Sequence, residues 1–177
     1  MMWLTDIIVF PDYKFTTKDG IIALGGDLSE ERLIYAYKNG IFPWFSEGDP
    51  IVWYCPHERM VLFPNEIKVS KSMQKIIHKN KFVITENKAF KEVIYNCKNI
   101  DRGDGFGTWI TDDMEKAYIK LHQKGVAKSI EIWLNDELVG GLYGIEVNTI
   151  FCGESMFSKV SNTSKLAFIH LAKNKKY

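Results

Sequence analysis

The carboxylate of Glu154 is the residue with the clearest chemical potential in this sequence. It stands between Gly153 and Ser155, in a stretch that is otherwise apolar and rich in sulfur. A charge in such surroundings is costly unless it is paired or hydrogen-bonded. The pattern therefore predicts either a buried structural acceptor or part of a reactive site, and the residues alone leave both interpretations open.

Two β-strands meeting at a turn near Asn148 and Thr149 are predicted to position this carboxylate, within the segment from Val139 to Ser158. Glycines recur along the segment, at Gly140, Gly141, Gly144 and Gly153. Glycine in a strand interior indicates that another group approaches the backbone closely. We therefore expect few side chains on the sheet around Glu154, so that another group can approach its backbone there.

Composition limits the function classes. The chain has 177 residues, of which 46% are hydrophobic, enough for one core or for one domain with a small appendage. Since 23 Lys and Arg balance 22 Asp and Glu, any nucleic-acid contact must come from a local patch. The N-terminus has no signal-peptide pattern and the chain no long apolar run, which predicts a cytoplasmic protein that does not span a membrane.

Cysteines and histidines offer no ligand spacing. Cys55, Cys97 and Cys152 are far apart and form no CxxC pair, which is typical of structural thiols in a reducing compartment. The four histidines are also dispersed, so we expect no metal site.

Two surfaces are candidates for ligand contact. Trp44 belongs to a cluster of aromatic residues beside turn residues, and is interpreted either as packing or as a platform for a planar ligand. Five lysines fall within fourteen residues, at Lys68, Lys71, Lys75, Lys79 and Lys81. They form either a solvated helix face or a contact for a phosphate backbone.

The predicted order of elements is strand, helix, strand, helix, a three-stranded meander and a final helix. This order favours an α+β fold with a largely antiparallel sheet covered by helices, as in acyltransferases of the GNAT type. The segment after the meander lacks the glycine-rich pyrophosphate pattern Q/R-x-x-G-x-G/A, so an acetyl-CoA donor is disfavoured. Pro56 and Pro64 bracket a predicted junction between a small N-terminal α/β domain (1–60) and a GNAT-like domain (61–177).

Four motifs carry a specific resemblance: ALGGDLS at 23–29, GIFPWFSEGDPIVWY at 40–54, GTWIT at 107–111 and ELVGGLYGIEVNTIFCGESMFS at 137–158. Together they resemble the bacterial leucyl/phenylalanyl-tRNA–protein transferase family over nearly the whole chain. The resemblance implies a monomeric aminoacyltransferase that needs no cofactor. It would move Leu or Phe from Leu-tRNA or Phe-tRNA onto proteins with N-terminal Lys or Arg, marking them for N-end-rule degradation.

The resemblance also assigns roles by position. Glu154 and Ser155 would face the reacting ester and the incoming amine as catalytic residues. Trp44 and Trp109 would stack on the terminal adenosine of the tRNA, and Tyr118 is a further site position whose helical spacing also suits plain core. The tRNA backbone would lie on Lys68, Lys71, Lys75 and Lys79. The pocket for the Leu or Phe side chain would be lined by Leu142, Phe151, Met156, Phe168 and Leu171.

One departure from the family pattern leads to an alternative hypothesis. The family continues after the last helix with a strand reading roughly Ile-Asp-Cys-Gln, whose Asp and Gln orient and deprotonate the amine, whereas this sequence stops at Tyr177. We therefore expect a C-terminally truncated domain without its last strands and with an open sheet edge. The alternative to the transferase is an inactive fragment that retains at most binding of the aminoacyl-tRNA 3′ end.

Overall fold

The computed structural model describes residues 1–101 and 108–174, so the loop predicted at 101–107 lies outside it except for Asp101. Two compact units form: Met1–Met60 with the segment that ends at Leu121, and Val61–Asp101 with the chain from His122 onward. In chain order the elements are β1 Met2–Leu4, β2 Ile21–Gly25, α1 Glu30–Lys38, β3 Phe42–Pro43, β4 Val52–Tyr54, α2 Lys71–His78, β5 Val83–Glu86, α3 Phe90–Asn99, α4 Asp112–Gln123, β6 Ala127–Leu134, β7 Glu137–Val147, β8 Ile150–Ser158 and α5 Thr163–Asn174.

This arrangement confirms the predicted α+β class and the antiparallel meander. Within the described ranges, no helix has both the length and the apolar character that a membrane crossing requires. The domain boundary proposed near residue 60 stays a prediction, because two compact units in the folded chain do not show which part would fold on its own. The compact units group most of α4 with the first unit.

The first unit contains a four-stranded sheet in the order β1-β2-β4-β3, in which β1 and β2 are parallel and the other pairs antiparallel. The sequence offers Asp27 or Ser29 as the cap of helix α1, and the structure uses Ser29, whose side chain accepts a hydrogen bond from the backbone N–H of Arg32 at 3.4 Å. Gly40 follows the helix with φ +73°, a left-handed conformation that favours glycine. The capping residues therefore set both ends of α1.

Arg32 holds the N-terminal segment of this unit. Its side chain is fully buried and donates to the carbonyl oxygens of Thr5 at 2.6 Å and Ile7 at 3.3 Å. The same guanidinium forms an ion pair of 3.1 Å with Asp27. A buried charge is stable only with such partners, so Arg32 ties the chain before β2 to the start of α1.

The second unit is built on the sheet β5-β6-β7-β8, in which all pairs are antiparallel. The sequence predicts a second tight turn at Asn135-Asp136, and both hairpin turns lie where expected, at Asn135 and Asp136 with φ of +51° and +62° and at Asn148 with φ +53°. Asn and Asp tolerate this region better than other non-glycine residues, which explains their placement at the turns.

Gly140 of β7 lets helix α5 approach one face of this sheet, because a Cβ at Gly140 would collide with the Thr163 side chain at the start of α5. A Cβ at Gly141 would lie 2.6 Å from the Ile130 carbonyl oxygen of β6 and at an ordinary 3.4 Å from Val93 of α3. Successive residues of a strand face opposite sides, so α5 and α3 cover opposite faces. The predicted close approach is confirmed, and the approaching groups belong to the chain itself.

Two local sequence patterns lead to wrong predictions: Val61-Leu62-Phe63 predicts a short strand, and Asn87 predicts the N-cap of the helix that carries Phe90. Residues 61–63 do not form a strand: their side chains are exposed and they pair with no strand in the described part of the chain. Asn87 does not cap α3, whose N-cap is Ala89. The Asn87 side chain instead accepts a hydrogen bond from the Ser129 N–H at 3.0 Å.

Candidate functional site

Glu154 lies in a β-bulge between β7 and β8. Tyr143 is opposite Ser155 and Gly144 is opposite Gly153, so Glu154 is the one extra residue of β8 at this point. A bulge re-aims side chains and is over-represented next to active sites. Both Glu154 and Ser155 are half-buried, which leaves them partly accessible to a ligand.

An apolar cluster lies on the α5 face of the same sheet. Leu142 and Leu171 are buried within it and Phe151 packs against it, so three of the five residues predicted to form the side-chain pocket are brought together. Met156 is directly opposite Leu142 in the strand register and is 42% exposed. Phe168 of α5 is 37% exposed and lies outside the cluster. The pocket role of these residues stays a prediction.

Gly144 determines where the Phe151 ring lies. A Cβ at Gly144 would collide with the backbone carbonyl oxygen of Cys152 and would lie 2.6 Å from two ring atoms of Phe151, which is closer than real Cβ contacts allow. The glycine therefore leaves room both for the backbone of β8 and for the Phe151 ring. Among the described residues, only Phe151 comes within 4 Å of a Cβ added at the opposite residue, Gly153, at 4.0 Å.

A buried carboxylate that sequence reasoning missed supports this region. Glu131 of β6 is fully buried and accepts hydrogen bonds from the hydroxyls of Thr85 at 2.5 Å and Ser129 at 2.6 Å. It also accepts, at 3.4 Å each, from the N–H groups of Lys88 and Ala89, where α3 begins. A carboxylate is favourable at a helix N-terminus because the free N–H groups carry partial positive charge.

The start of α3 in turn supports the bulge. Phe90, the first residue of α3, packs edge-on against Tyr143 with ring centroids 5.7 Å apart and stacks on His122 at 4.3 Å. Tyr143 is opposite Ser155, the neighbour of Glu154. A series of contacts thus runs from Glu131 through the first residues of α3 and the Phe90 ring to Tyr143, opposite Ser155. The signal of Glu131 in the sequence was a single charge in the apolar strand Ser-Ile-Glu-Ile-Trp.

The predicted adenosine platform residues lie in the first unit. Trp44 is 52% exposed, and its backbone N–H donates to the Val52 carbonyl at 2.9 Å. Trp109 is half-buried and lies two residues before Thr111, whose hydroxyl caps α4 by accepting from the Met114 N–H at 3.2 Å. Trp44 therefore has an accessible ring, as a stacking platform requires.

Tyr118 occupies the interior of the first unit. Its side chain is fully buried, and its hydroxyl forms a short hydrogen bond with the hydroxyl of Tyr37. The two rings meet edge-on with centroids 6.5 Å apart. These contacts fit the core interpretation of its helical spacing, and its role as a site residue stays a prediction.

A surface cavity of about 400 Å³ lies in the first unit. Acidic side chains dominate its polar lining, which consists of Asp27, Glu47, Asp49, Thr111 and Asp113. Burial raises the pKa of Asp27, but hydrogen bonds from Arg32 and Ser29 and the charge of Arg32 outweigh it and lower the pKa to about 2. Asp27 is therefore ionised at neutral pH, and this cavity disfavours a phosphate backbone.

The four lysines assigned to tRNA contact are exposed, on or beside α2. The opposite side of α2 carries Met73, which belongs to the apolar cluster of the second unit. The helix is thus anchored by one face and presents its lysines on another. Among residues 1–101 and 108–174, no group of three or more His, Cys, Asp or Glu side chains is arranged to hold a metal ion.

Comparison with protein families identifies the chain. The model of the leucyl/phenylalanyl-tRNA protein transferase matches residues 61–177, and the model of the N-terminal domain of the same transferase matches residues 26–57. The chain belongs to the leucyl/phenylalanyl-tRNA protein transferase family. It is therefore a member of an aminoacyltransferase family, which confirms the family and the enzyme class expected from the sequence motifs.

Individual relatives agree with this assignment. A leucyl/phenylalanyl-tRNA–protein transferase of Flavobacterium psychrophilum is 58% identical over 172 residues, which cover 97% of this chain and 82% of the relative. Its counterpart in Flavobacterium johnsoniae is 56% identical and is covered to 81% of its length. One from Syntrophus aciditrophicus is 49% identical over 169 residues, 96% of this chain and 71% of the relative.

Proposed function

We propose that this chain transfers Leu or Phe from aminoacyl-tRNA to proteins with an N-terminal Lys or Arg, which marks them for N-end-rule degradation in the cytoplasm. The observation that carries the proposal is membership of the leucyl/phenylalanyl-tRNA protein transferase family over both of its parts. The half-buried Glu154 in a bulge next to an apolar cluster supports it, because the reaction needs a polar group beside a pocket for an apolar side chain.

The proposed reaction is aminolysis of an ester. The α-amine of the acceptor attacks the carbonyl carbon of the aminoacyl ester, the new C–N bond forms, and the C–O bond to the ribose breaks. One amine proton leaves with the ribose oxygen, so that the tRNA is released with a free hydroxyl. The Glu154 carboxylate acts as the general base that takes this proton from the attacking amine and passes it on to the ribose oxygen, and the Ser155 hydroxyl donates to polar atoms of the ester.

The donor preference follows from burial. Leu142, Phe151 and Leu171 enclose the Leu or Phe side chain in this proposal, and Met156 and Phe168 complete the wall from their exposed positions. A branched or aromatic side chain gains hydrophobic stabilisation there, whereas a polar one loses hydration without replacement. No metal or organic cofactor takes part in the proposed step.

The test is transfer of radiolabelled leucine from Leu-tRNA to a model protein that begins with Arg, with the same protein beginning with Ala as acceptor control. The wild-type chain is expected to label only the Arg acceptor. Replacement of the carboxylate in Glu154→Gln should lower the rate by roughly 100-fold or more, as for loss of a general base. The exposed Glu137→Gln on β7 is the matched control and should transfer normally.

Two other results would contradict the proposal. Salt-sensitive binding of Leu-tRNA without any transfer would identify a binding fragment instead of an active transferase. Transfer at the wild-type rate by Glu154→Gln would remove the proposed role of that carboxylate while leaving the transferase activity in place.

A further inference from the structure

Three aromatic rings and a guanidinium form a continuous row on the hairpin of β3 and β4. The ring centroids of Trp44 and Tyr54 are 5.7 Å apart, and those of Tyr54 and Phe42 are 5.9 Å apart with planes inclined by 23°. The guanidinium carbon of Arg59 lies 4.7 Å from the centroid of Phe42. These four residues, Trp44, Tyr54, Phe42 and Arg59, are called the aromatic row below.

Strand pairing builds the row on one face of the hairpin. Trp53 faces the interior of the first unit, where it is fully buried and donates its indole N–H to the Gly25 carbonyl at 2.9 Å. Its neighbour Tyr54 must therefore face the other side, and Phe42 shares that side because it is directly opposite Tyr54 in the register.

The row differs from ordinary core packing in exposure and charge. Phe42 and Tyr54 are only partly buried, and Trp44 is more than half exposed. Arg59 is exposed, donates to the Gly40 carbonyl at 3.3 Å, and forms no ion pair with any residue that the structure describes. A line of accessible rings that ends in an exposed guanidinium without an acidic partner among the described residues suits planar bases joined by phosphates.

We propose that the aromatic row binds the cytidines that precede the terminal adenosine at the single-stranded 3′ end of aminoacyl-tRNA, with Arg59 on a phosphate between them. The inference rests on the proposed function, in which Trp44 takes the adenosine. From the adenosine on Trp44, the single-stranded RNA then runs past Tyr54 and Phe42 towards Arg59. Because all tRNAs share the same C-C-A end, stacking and a phosphate contact at these nucleotides would be the same for every tRNA and would not depend on the aminoacyl group.

The experiment measures binding, so that it does not depend on turnover. The probes are 3′-(leucylamino)-3′-deoxyadenosine, whose amide resists hydrolysis, and the same compound extended at its 5′ side by one or two cytidines. Isothermal titration calorimetry with the whole chain gives a Kd for each. The first added cytidine is expected to lower Kd by about fivefold or more, as a stacked base does.

Variants at the far end of the row separate it from the adenosine platform. Arg59→Gln and Phe42→Leu should each lose most of the gain from the second cytidine while binding the adenosine compound as the wild type does. Arg59→Lys keeps the charge without the planar stacking group and should retain part of the gain. Lys38→Gln, an exposed charge loss on α1, is the control and should retain all of it.

The outcomes distinguish this inference from the function on which it rests. Binding of the adenosine compound with no gain from cytidine overturns the inference and leaves the proposed function intact. A gain from the second cytidine that persists in Arg59→Gln and Phe42→Leu also overturns it, because that cytidine then binds elsewhere. Failure of all three compounds to bind overturns the proposed function together with the inference.

Discussion

The Phe151 ring lies directly against Gly144 across the β7–β8 pair, in the space that any larger residue at position 144 would need. The contact couples one backbone position of β7 to a ring of the proposed side-chain pocket. It also lies one register pair away from the Glu154 bulge. The following predictions begin from this contact and extend to the other positions that hold the candidate site.

Gly144→Ala is expected to displace both the Phe151 ring and the Cys152 carbonyl of β8, and to destabilise the second unit by about 1–3 kcal/mol, since overpacking forces side chains and backbone to shift. Binding of the leucyl-adenosine compound should weaken as well, because the ring is part of the proposed pocket. Calorimetry and urea unfolding measure both effects. The matched control is Gly153→Ala, whose new Cβ would have an ordinary 4.0 Å contact at most. Equal effects of the two substitutions would contradict the coupling.

Glu131→Gln is expected to lower the free energy of unfolding by about 1–3 kcal/mol. In this variant an amide NH2 replaces one of the two carboxylate oxygens, so hydroxyl and backbone N–H donors meet another donor where they now meet an acceptor. The substitution also removes the negative charge at the start of α3. Urea unfolding measures the change, with the exposed Glu137→Gln as control. Unchanged stability in Glu131→Gln would mean that this carboxylate does not hold α3.

The ion pair of Asp27 and Arg32 makes stability depend on pH. The pKa of Asp27 is lowered from 3.8 to about 2 in the folded chain, so its contribution is complete above about pH 4 and is lost as the pH falls towards 2. The carboxylate side chain is 48% exposed, and solvent screening limits the contribution to about 1 kcal/mol.

Urea unfolding of wild type and Asp27→Asn from pH 7 to pH 2.5 tests this pH dependence. The difference in stability between the two should shrink as the pH falls from about 4 towards 2, because Asp27 protonates near pH 3.8 in the unfolded chain and only near pH 2 in the folded one. Asp19→Asn, an exposed carboxylate change in the same unit, should follow the wild-type profile. A difference that stays constant down to pH 2.5 would exclude the ion pair as its source.

The lysines beside α2 predict a salt dependence of tRNA binding. Replacing Lys71, Lys75 and Lys79 together by Gln should reduce the slope of log K against log salt concentration by about 2, as expected for three lost phosphate contacts on a polynucleotide. A matched triple change of the exposed Lys14, Lys18 and Lys38 should leave the slope unchanged. The same loss in both triples would show that only overall charge matters.

Local features followed from the sequence because short-range rules decide them. Ser29 and Gly40 bound α1, and Asn135 and Asn148 lie in turns with positive φ, as their residue types indicated. Family membership was also recognisable, since the motifs are contiguous stretches of sequence. The same short-range rules wrongly predicted Asn87 as the cap of α3. The hydrogen-bond acceptor at the start of α3 is instead the Glu131 carboxylate, which belongs to a strand distant in sequence.

The sequence by itself determined the α+β class, the meander, the family and the candidate residues, because periodicity, turn chemistry and motif spacing are local properties. Only the tertiary structure decided that Glu154 is the extra residue of a bulge, that Glu131 anchors α3, and that the aromatic row ends at Arg59. Each of these depends on register or contact between segments far apart in the chain. No local preference encodes such contacts, since they form only when strands pair and side chains pack.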